Sequence, residues 1–204
     1  NFKETNLNFF ADKNDILIKK IFGFLEDIKI SNGDIKLNLE NGIKLSSNFN
    51  SRINFSEQVT KRYTKFFKKY DVLKNLKSLK ADLNNNFSIE LDHTYKVKDY
   101  NYSVVGKLEK SKFELLSPIK NDFVTEEITN IYLSDLKMRT IIKPKNFKIS
   151  GEGKYSFDNS NFLNMSLENN FNNDNYNLKL NFDYIKDIKL DLINYKKPES
   201  SVAN

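Results

Sequence analysis

His93, set between Asp92 and Thr94, is the only imidazole in the chain, and there is no Cys. Acid–base or nucleophilic catalysis needs a base held against a nucleophile by a third group, and a metal site needs several donors at matched spacing. No partner for His93 stands at such a spacing. The lack of Cys removes disulfide frameworks, thiol catalysis and zinc–thiolate centres, and leaves the redox compartment open. Glu126 and Glu127 are adjacent, while Asp183, Asp187 and Asp191 interleave with Ile and Leu in the manner of water-facing strand positions. The six Gly are scattered, so no loop cradles a phosphate. These residues predict a non-enzymatic protein without metal or cofactor.

The remaining chemistry is charge and apolar surface. The chain carries 33 basic and 27 acidic side chains, a net +6. Between Ser56 and Lys80 stand Lys61, Arg62, Lys65, Lys68, Lys69, Lys74, Lys77 and Lys80 against only Glu57 and Asp71. Eight minus two is +6, and the rest of the chain balances at 25 and 25. In the same stretch Val59, Tyr63, Phe66, Phe67, Tyr70, Leu73, Leu76 and Leu79 recur at intervals of three and four. That spacing predicts a basic amphipathic helix over 56–80, with Ser56 as N-cap. Such a helix suits an anionic membrane surface, with Lys61, Arg62, Lys65, Lys68 and Lys69 as headgroup contacts. The plainer alternative packs its apolar stripe on a sheet and leaves the lysines solvated. Nucleic acid is not an expected partner: Arg numbers 3 against 30 Lys, and the aromatic residues lie on the stripe opposite the lysines.

Everything around that stretch has period two. Ile43, Leu45, Ser47, Phe49, Ser51, Ile53 and Phe55 alternate with polar residues, which predicts one long strand with an apolar and a polar face. Ahead of it, Ile28, Ile30 and Ile35, Leu37, Leu39 are split by Ser31-Asn32-Gly33-Asp34. An Asn-Gly turn there pairs Ile30 with Ile35. At the next turn only a three-residue Glu40-Asn41-Gly42 loop sets Leu37 against Leu45 and keeps apolar residues together. Similar alternation runs through Phe87–Leu91, Tyr100–Val104, Leu136–Ile142, Phe147–Phe157, Leu163–Leu167, Tyr176–Tyr184 and Ile188–Leu192. Phe2–Phe10 and Ile16–Phe22 add two more strands. The reading is a mainly β chain: a large antiparallel, curled sheet of about ten to twelve strands with one helical insertion. Residues 1–204 form a single β-rich segment, expected to belong to a longer protein. The 39% hydrophobic content rules out a disordered chain. Asn and Lys, 30 of each, fill the outward positions of strand after strand, as codon usage in an AT-rich genome would impose.

Area then poses a question. Ten strands at ~4.8 Å spacing make a sheet ~48 Å wide. Its apolar side exceeds the few hundred Å² that soluble monomers usually expose. One helix hides only two or three strands. The face must close as a sandwich, hold an apolar ligand in a trough, or meet a membrane as a barrel. The helical insertion, interrupting the hairpin series, argues against the barrel. In the trough arrangement Leu37, Leu39, Ile43, Leu45, Phe49, Ile53, Phe87, Ile89, Tyr102, Ile149, Leu178, Leu180 and Phe182 face the ligand. In the sandwich the same residues form a closed core of a structural or interaction module.

Four runs carry a family resemblance: Ser31-Asn-Gly-Asp-Ile-Lys-Leu-Asn-Leu-Glu-Asn-Gly, Asp92-His-Thr-Tyr-Lys-Val-Lys-Asp-Tyr-Asn-Tyr-Ser, Gly151-Glu-Gly-Lys-Tyr-Ser-Phe and Leu190-Asp-Leu-Ile-Asn-Tyr-Lys-Lys-Pro. In strand texture the chain resembles AsmA-like proteins, in particular the YhdP-type central region. The resemblance implies a periplasmic β-groove tethered to the inner membrane by a segment outside this chain. It also implies that phospholipid, or another acyl-chain lipid, occupies the trough during outer-membrane biogenesis. It implies no catalytic residue.

Overall fold

The computed structural model describes residues 2–40, 42–63, 75–121, 124–173, 175–186, 188–190, 195–198 and 201. Ten strands form one sheet: β1 Phe2–Ala11, β2 Asp15–Leu25, β3 Ile28–Asn38, β4 Ile43–Phe55, β5 Leu76–Leu91, β6 Val97–Asn121, β7 Val124–Lys143, β8 Asn146–Ser156, β9 Leu163–Asn172 and β10 Asn175–Phe182. Their order in the sheet is their order in the chain, and every neighbouring pair is antiparallel. The sheet is curled and unclosed, with β1 and β10 as its edges. A short hairpin, β11 Ile188–Leu190 with β12 Tyr195–Lys197, is separate from it. The mainly antiparallel β architecture expected from the alternation is what the chain adopts.

Two local expectations fail. Of the helix predicted over 56–80, the described residues hold α1, Glu57–Tyr63; residues 64–74 lie outside the described residues, and Leu76–Lys80, expected in the helix, open β5 instead. Leu76 and Leu79 fit a helical stripe, but Leu79 pairs with Phe55 on β4, and long-range pairing decides. The Asn32-Gly33 turn is no turn either. β3 runs straight through it, paired with β2 and β4 on both sides, and the β2–β3 turn falls at Glu26-Asp27. Asn32 has φ +52 and the register slips between Ser31 and Asp34, so the dipeptide makes a β-bulge. The three-residue loop does set Leu37 opposite Leu45, with Gly42 at φ +94.

Bulges recur where the sheet bends. Glu4 on β1, Lys20 on β2 and Asp135 on β7 also have positive φ, each beside a register slip. The Lys20 amide donates to Asp34 Oδ1 at 3.1 Å, which supplies the bulged backbone with a partner. An extra residue in one strand bends it and raises the local twist, so these positions curl the sheet toward its apolar side chains.

At one end of the sheet α1 packs against β4 and β5. Ser56 starts α1: its Oγ accepts from Val59 N, and its carbonyl accepts from Thr60 N at 2.9 Å. Val59 and Thr60 are buried, Thr60 Oγ1 donates to Lys77 O, and Tyr63 stacks on Phe55 at 4.7 Å. Even-numbered strands finish at this same end, so the segment after β10 starts there as well, and Tyr155 donates its hydroxyl to Asp183 O. The β8–β9 turn is organised by Asp158, whose Oδ1 accepts from Ser156 Oγ, Ser160 N and Asn161 N at 2.7–3.0 Å. These bonds, the backbone amides foremost, hold the Asp158 carboxyl well below the usual carboxylate range. A depressed folded-state pKa contributes stability above the unfolded value that disappears as pH falls through the folded one. Asp158→Ala is therefore expected to lower the melting temperature by a few degrees at neutral pH and by progressively less below pH ~4, read by circular dichroism across pH.

Candidate functional site

Register places thirteen candidate residues relative to one another. Cross-strand partners share a face, so the pairs can be followed across the sheet. Leu37, Leu45, Ile89 and Tyr100 form one row; Ile43 faces Leu91; Ile53 faces Ala81. Phe49 begins a row that continues Asn85, Val104, Thr140, Ile149, Asn169 and Leu178. Phe87 begins another: Tyr102, Ile142, Phe147, Phe171 and Tyr176. Leu180 faces Leu167 and Phe182 faces Met165. Twelve of the thirteen thus lie on one face. Leu39 lies one residue beyond β3, its amide bonded to Asn14 O, and is exposed.

Burial along this face is uneven. Among the described residues the buried apolar side chains are Phe55, Val59, Ala81, Val104, Leu108, Ile128, Leu136 and Tyr155, in the middle strands and beside α1. Toward the edges the face opens. Phe2 and Phe9 on β1 are 55% and 59% exposed, and Tyr176, Leu178, Leu180 and Phe182 on β10 are 42–64% exposed. The centre is packed; the walls are not.

The aromatic row is only partly legible in the sequence. Phe87 and Tyr102, in edge contact at 6.1 Å, were candidates, but Phe147, Phe171 and Tyr176 become part of the site only through register. A second surprise is polar. Asn85 is 3% exposed, donating to Ser51 Oγ at 2.9 Å and accepting from the Tyr102 hydroxyl at 2.8 Å. Burial pushes the Tyr102 phenol upward. Alternation in phase with Phe87, Ile89 and Leu91 turns Asn85 inward and Asn84 and Asn86 outward, but nothing in the sequence shows the partners that Asn85 finds there.

The opposite face is charged and balanced. Arg52 pairs with Asp82, Lys80 with Glu109, Lys98 with Glu90 and Lys107 with Asp135, all across strands and all exposed or half-buried. Such pairs contribute about 0–1 kcal/mol each. A hollow of about 720 Å³ on it is lined by Lys107, Lys137, Arg139 and Lys179 with Glu152 and Glu168, and Lys107 is already paired with Asp135. Of the basic residues expected at a membrane surface, Lys61 pairs with Glu57 and Arg62 with Glu26 and Asp27. Lys65, Lys68 and Lys69 lie outside the described residues. No helix among the described residues is long and apolar enough to cross a membrane.

Fold and face define a single curled, unclosed antiparallel sheet with one apolar face, packed at its centre and exposed at its edges. Searches against protein-family models, curated proteins and solved structures found no match.

Proposed function

We propose that the apolar face shelters acyl chains, making this a non-enzymatic lipid-binding segment. The observation that carries the reading is the exposure of the β10 row: four large apolar side chains, Tyr176, Leu178, Leu180 and Phe182, stand 42–64% exposed at the rim of a face whose centre is packed. Water contact there costs about 25 cal/mol for each Å² of apolar area, and a bound acyl chain relieves it. The resemblance to AsmA-like proteins supports the same reading. On that basis the lipid is a phospholipid or another acyl-chain lipid, and the setting is a bacterial periplasm, with the chain tethered to the inner membrane by a segment outside it. A role in carrying lipid toward the outer membrane follows. A contact between α1 and anionic headgroups belongs to the proposal too, although the ion pairs of Lys61 and Arg62 compete with it.

A structural module with a closed core is the second reading, favoured by the packing of Val104, Leu108 and Leu136 in the middle strands. Leu180→Asp separates the two. Leu180 is 48% exposed, so a carboxylate there stays hydrated in the empty protein and the fold survives. Purified from a Gram-negative host and extracted for mass spectrometry, the unaltered chain is expected to carry lipid. The variant is expected to carry at least fivefold less at an unchanged melting temperature. An unaltered chain that carries none supports the structural module instead.

A further inference from the structure

The row through the middle of the apolar face is not wholly apolar. Asn85 on β5, Thr140 on β7 and Asn169 on β9 alternate with Val104 and Ile149, one polar residue on every second strand. Successive members are therefore about 9–10 Å apart across the sheet. Asn85 is partnered by Ser51, Tyr102 and the Phe49 carbonyl. The other two are not: Thr140 Oγ1 and Asn169 Oδ1 are both buried without a hydrogen-bond partner, and Thr140 is only 9% exposed. A buried polar atom left unsatisfied costs about 1–3 kcal/mol, and folded proteins seldom tolerate one. Two in one row, flanking Ile149, on the face argued above to hold acyl chains, form a pattern with a use.

We infer that Thr140 and Asn169 hold the polar head of the bound acyl chain, and that this head carries a hydrogen-bond donor, a hydroxyl or amide N–H, close to its carbonyl. The inference rests on the lipid-binding reading and sharpens its substrate class. A carboxamide oxygen accepts only, so a ligand made of acceptors alone, such as a fully esterified diacylglycerol unit, leaves Asn169 Oδ1 unpaired. Threonine donates and accepts, so it can meet the neighbouring carbonyl. Both atoms are shielded from water in the lipid-free chain, so an entering head must displace what covers them, and the hydrogen bonds formed then offset that opening. Lipids of this chemistry include lysophospholipids, with a free hydroxyl beside the ester, and amide-linked acyl lipids.

The test uses the full chain and two probes: a 1-acyl lysophospholipid with a free 2-hydroxyl, and the same molecule with that hydroxyl O-methylated. Binding of each is titrated by native mass spectrometry for the unaltered chain, Thr140→Val, Asn169→Leu and the double variant. The unaltered chain is expected to bind the hydroxyl probe about tenfold more tightly, the upper range for one neutral hydrogen bond. Asn169→Leu and the double variant are expected to abolish that preference, while Thr140→Val, which removes the donor to the carbonyl that both probes keep, is expected to weaken both probes alike. Thr140→Val, which keeps shape and removes an unpaired hydroxyl, is also expected to raise the melting temperature of the lipid-free chain. Equal binding of the two probes by the unaltered chain overturns the inference and leaves the lipid-binding reading standing. Binding of neither overturns both. A lipid-free Thr140→Val protein that melts lower marks a structural water as the partner of the hydroxyl, which also overturns the inference.

Discussion

Alanine at Gly106 is expected to destabilise the protein by about 2–3 kcal/mol, seen as a lower urea midpoint at unchanged slope. Gly106 lies on β6 between Leu83 of β5 and Met138 of β7. A Cβ built there runs into the Asp82 carbonyl oxygen and comes within 2.8 Å of Leu83 Cα. Both are backbone atoms, so no side chain can swing aside and β5 itself must move. Gly151 supplies the control. Its added methyl meets Leu136 Cδ1 at 3.1 Å and the Lys137 carbonyl oxygen at 3.3 Å, contacts that a shift of a few tenths of an ångström relieves, so alanine there is expected to cost about 1 kcal/mol. Equal losses at the two positions would show that close approach of β5 and β6 is not what Gly106 permits.

Tyr155→Ala is expected to be the most damaging single truncation, about 3–5 kcal/mol, because the ring is 5% exposed. It meets Phe157 at 5.1 Å and Phe182 at 5.8 Å, both edge-on, and its hydroxyl ties β8 to the segment after β10. Tyr155→Phe separates these contributions: the ring remains, Asp183 O loses its donor, and the cost falls to about 1 kcal/mol. Burial, aided by Tyr184 and Asp183, pushes the Tyr155 phenol up to about 12. The folded state therefore holds the proton more tightly than the unfolded chain, where tyrosine ionises near pH ~10. The associated stability is complete below pH ~10 and is lost as pH rises through about 12. Chemical melts at pH 9 to 12 are expected to show the unaltered chain losing stability faster than Tyr155→Phe. Parallel curves would mean that the phenol is not buried in solution.

Much of this fold is written in alternation. The run Ile43 to Phe55 is the whole of β4, and keeping Leu37 against Leu45 is enough to choose the loop before it. What sequence hid is what depends on neighbours. Asn32-Gly33 favours left-handed backbone equally in a hairpin turn and in a bulge, and only pairing with β2 and β4 on both sides selects the bulge. Leu76 and Leu79, three apart, fit a helical stripe and break a strand alternation, and only pairing, Leu79 opposite Phe55 and Leu76 opposite Phe113 beside a register slip, makes the segment a strand. The candidate site was legible as a face but not as rows. Thr140 sits within the alternation Leu136, Met138, Thr140, Ile142 and reads as one more strand residue until register lines it up with Asn85 and Asn169. Charge misled in a different way. The +6 of residues 56–80 is real in sequence, yet Lys61, Arg62, Lys77 and Lys80 each find a carboxylate, three of them from outside that stretch.

The chain-order arrangement of the strands has a consequence for how the molecule comes apart. Each strand of the ten is held laterally only by those before and after it in sequence, so pairing energy is distributed along the sheet as in a linear array of nearest neighbours. Opening then costs least at the ends, where a strand has one neighbour, and most in the middle, where β6 and β7 are longest. β1 or β10 can peel away and re-form while β5 to β8 stay intact. The two rims of the sheet thus open before its spine does, and its apolar face can be uncovered from the side without global unfolding.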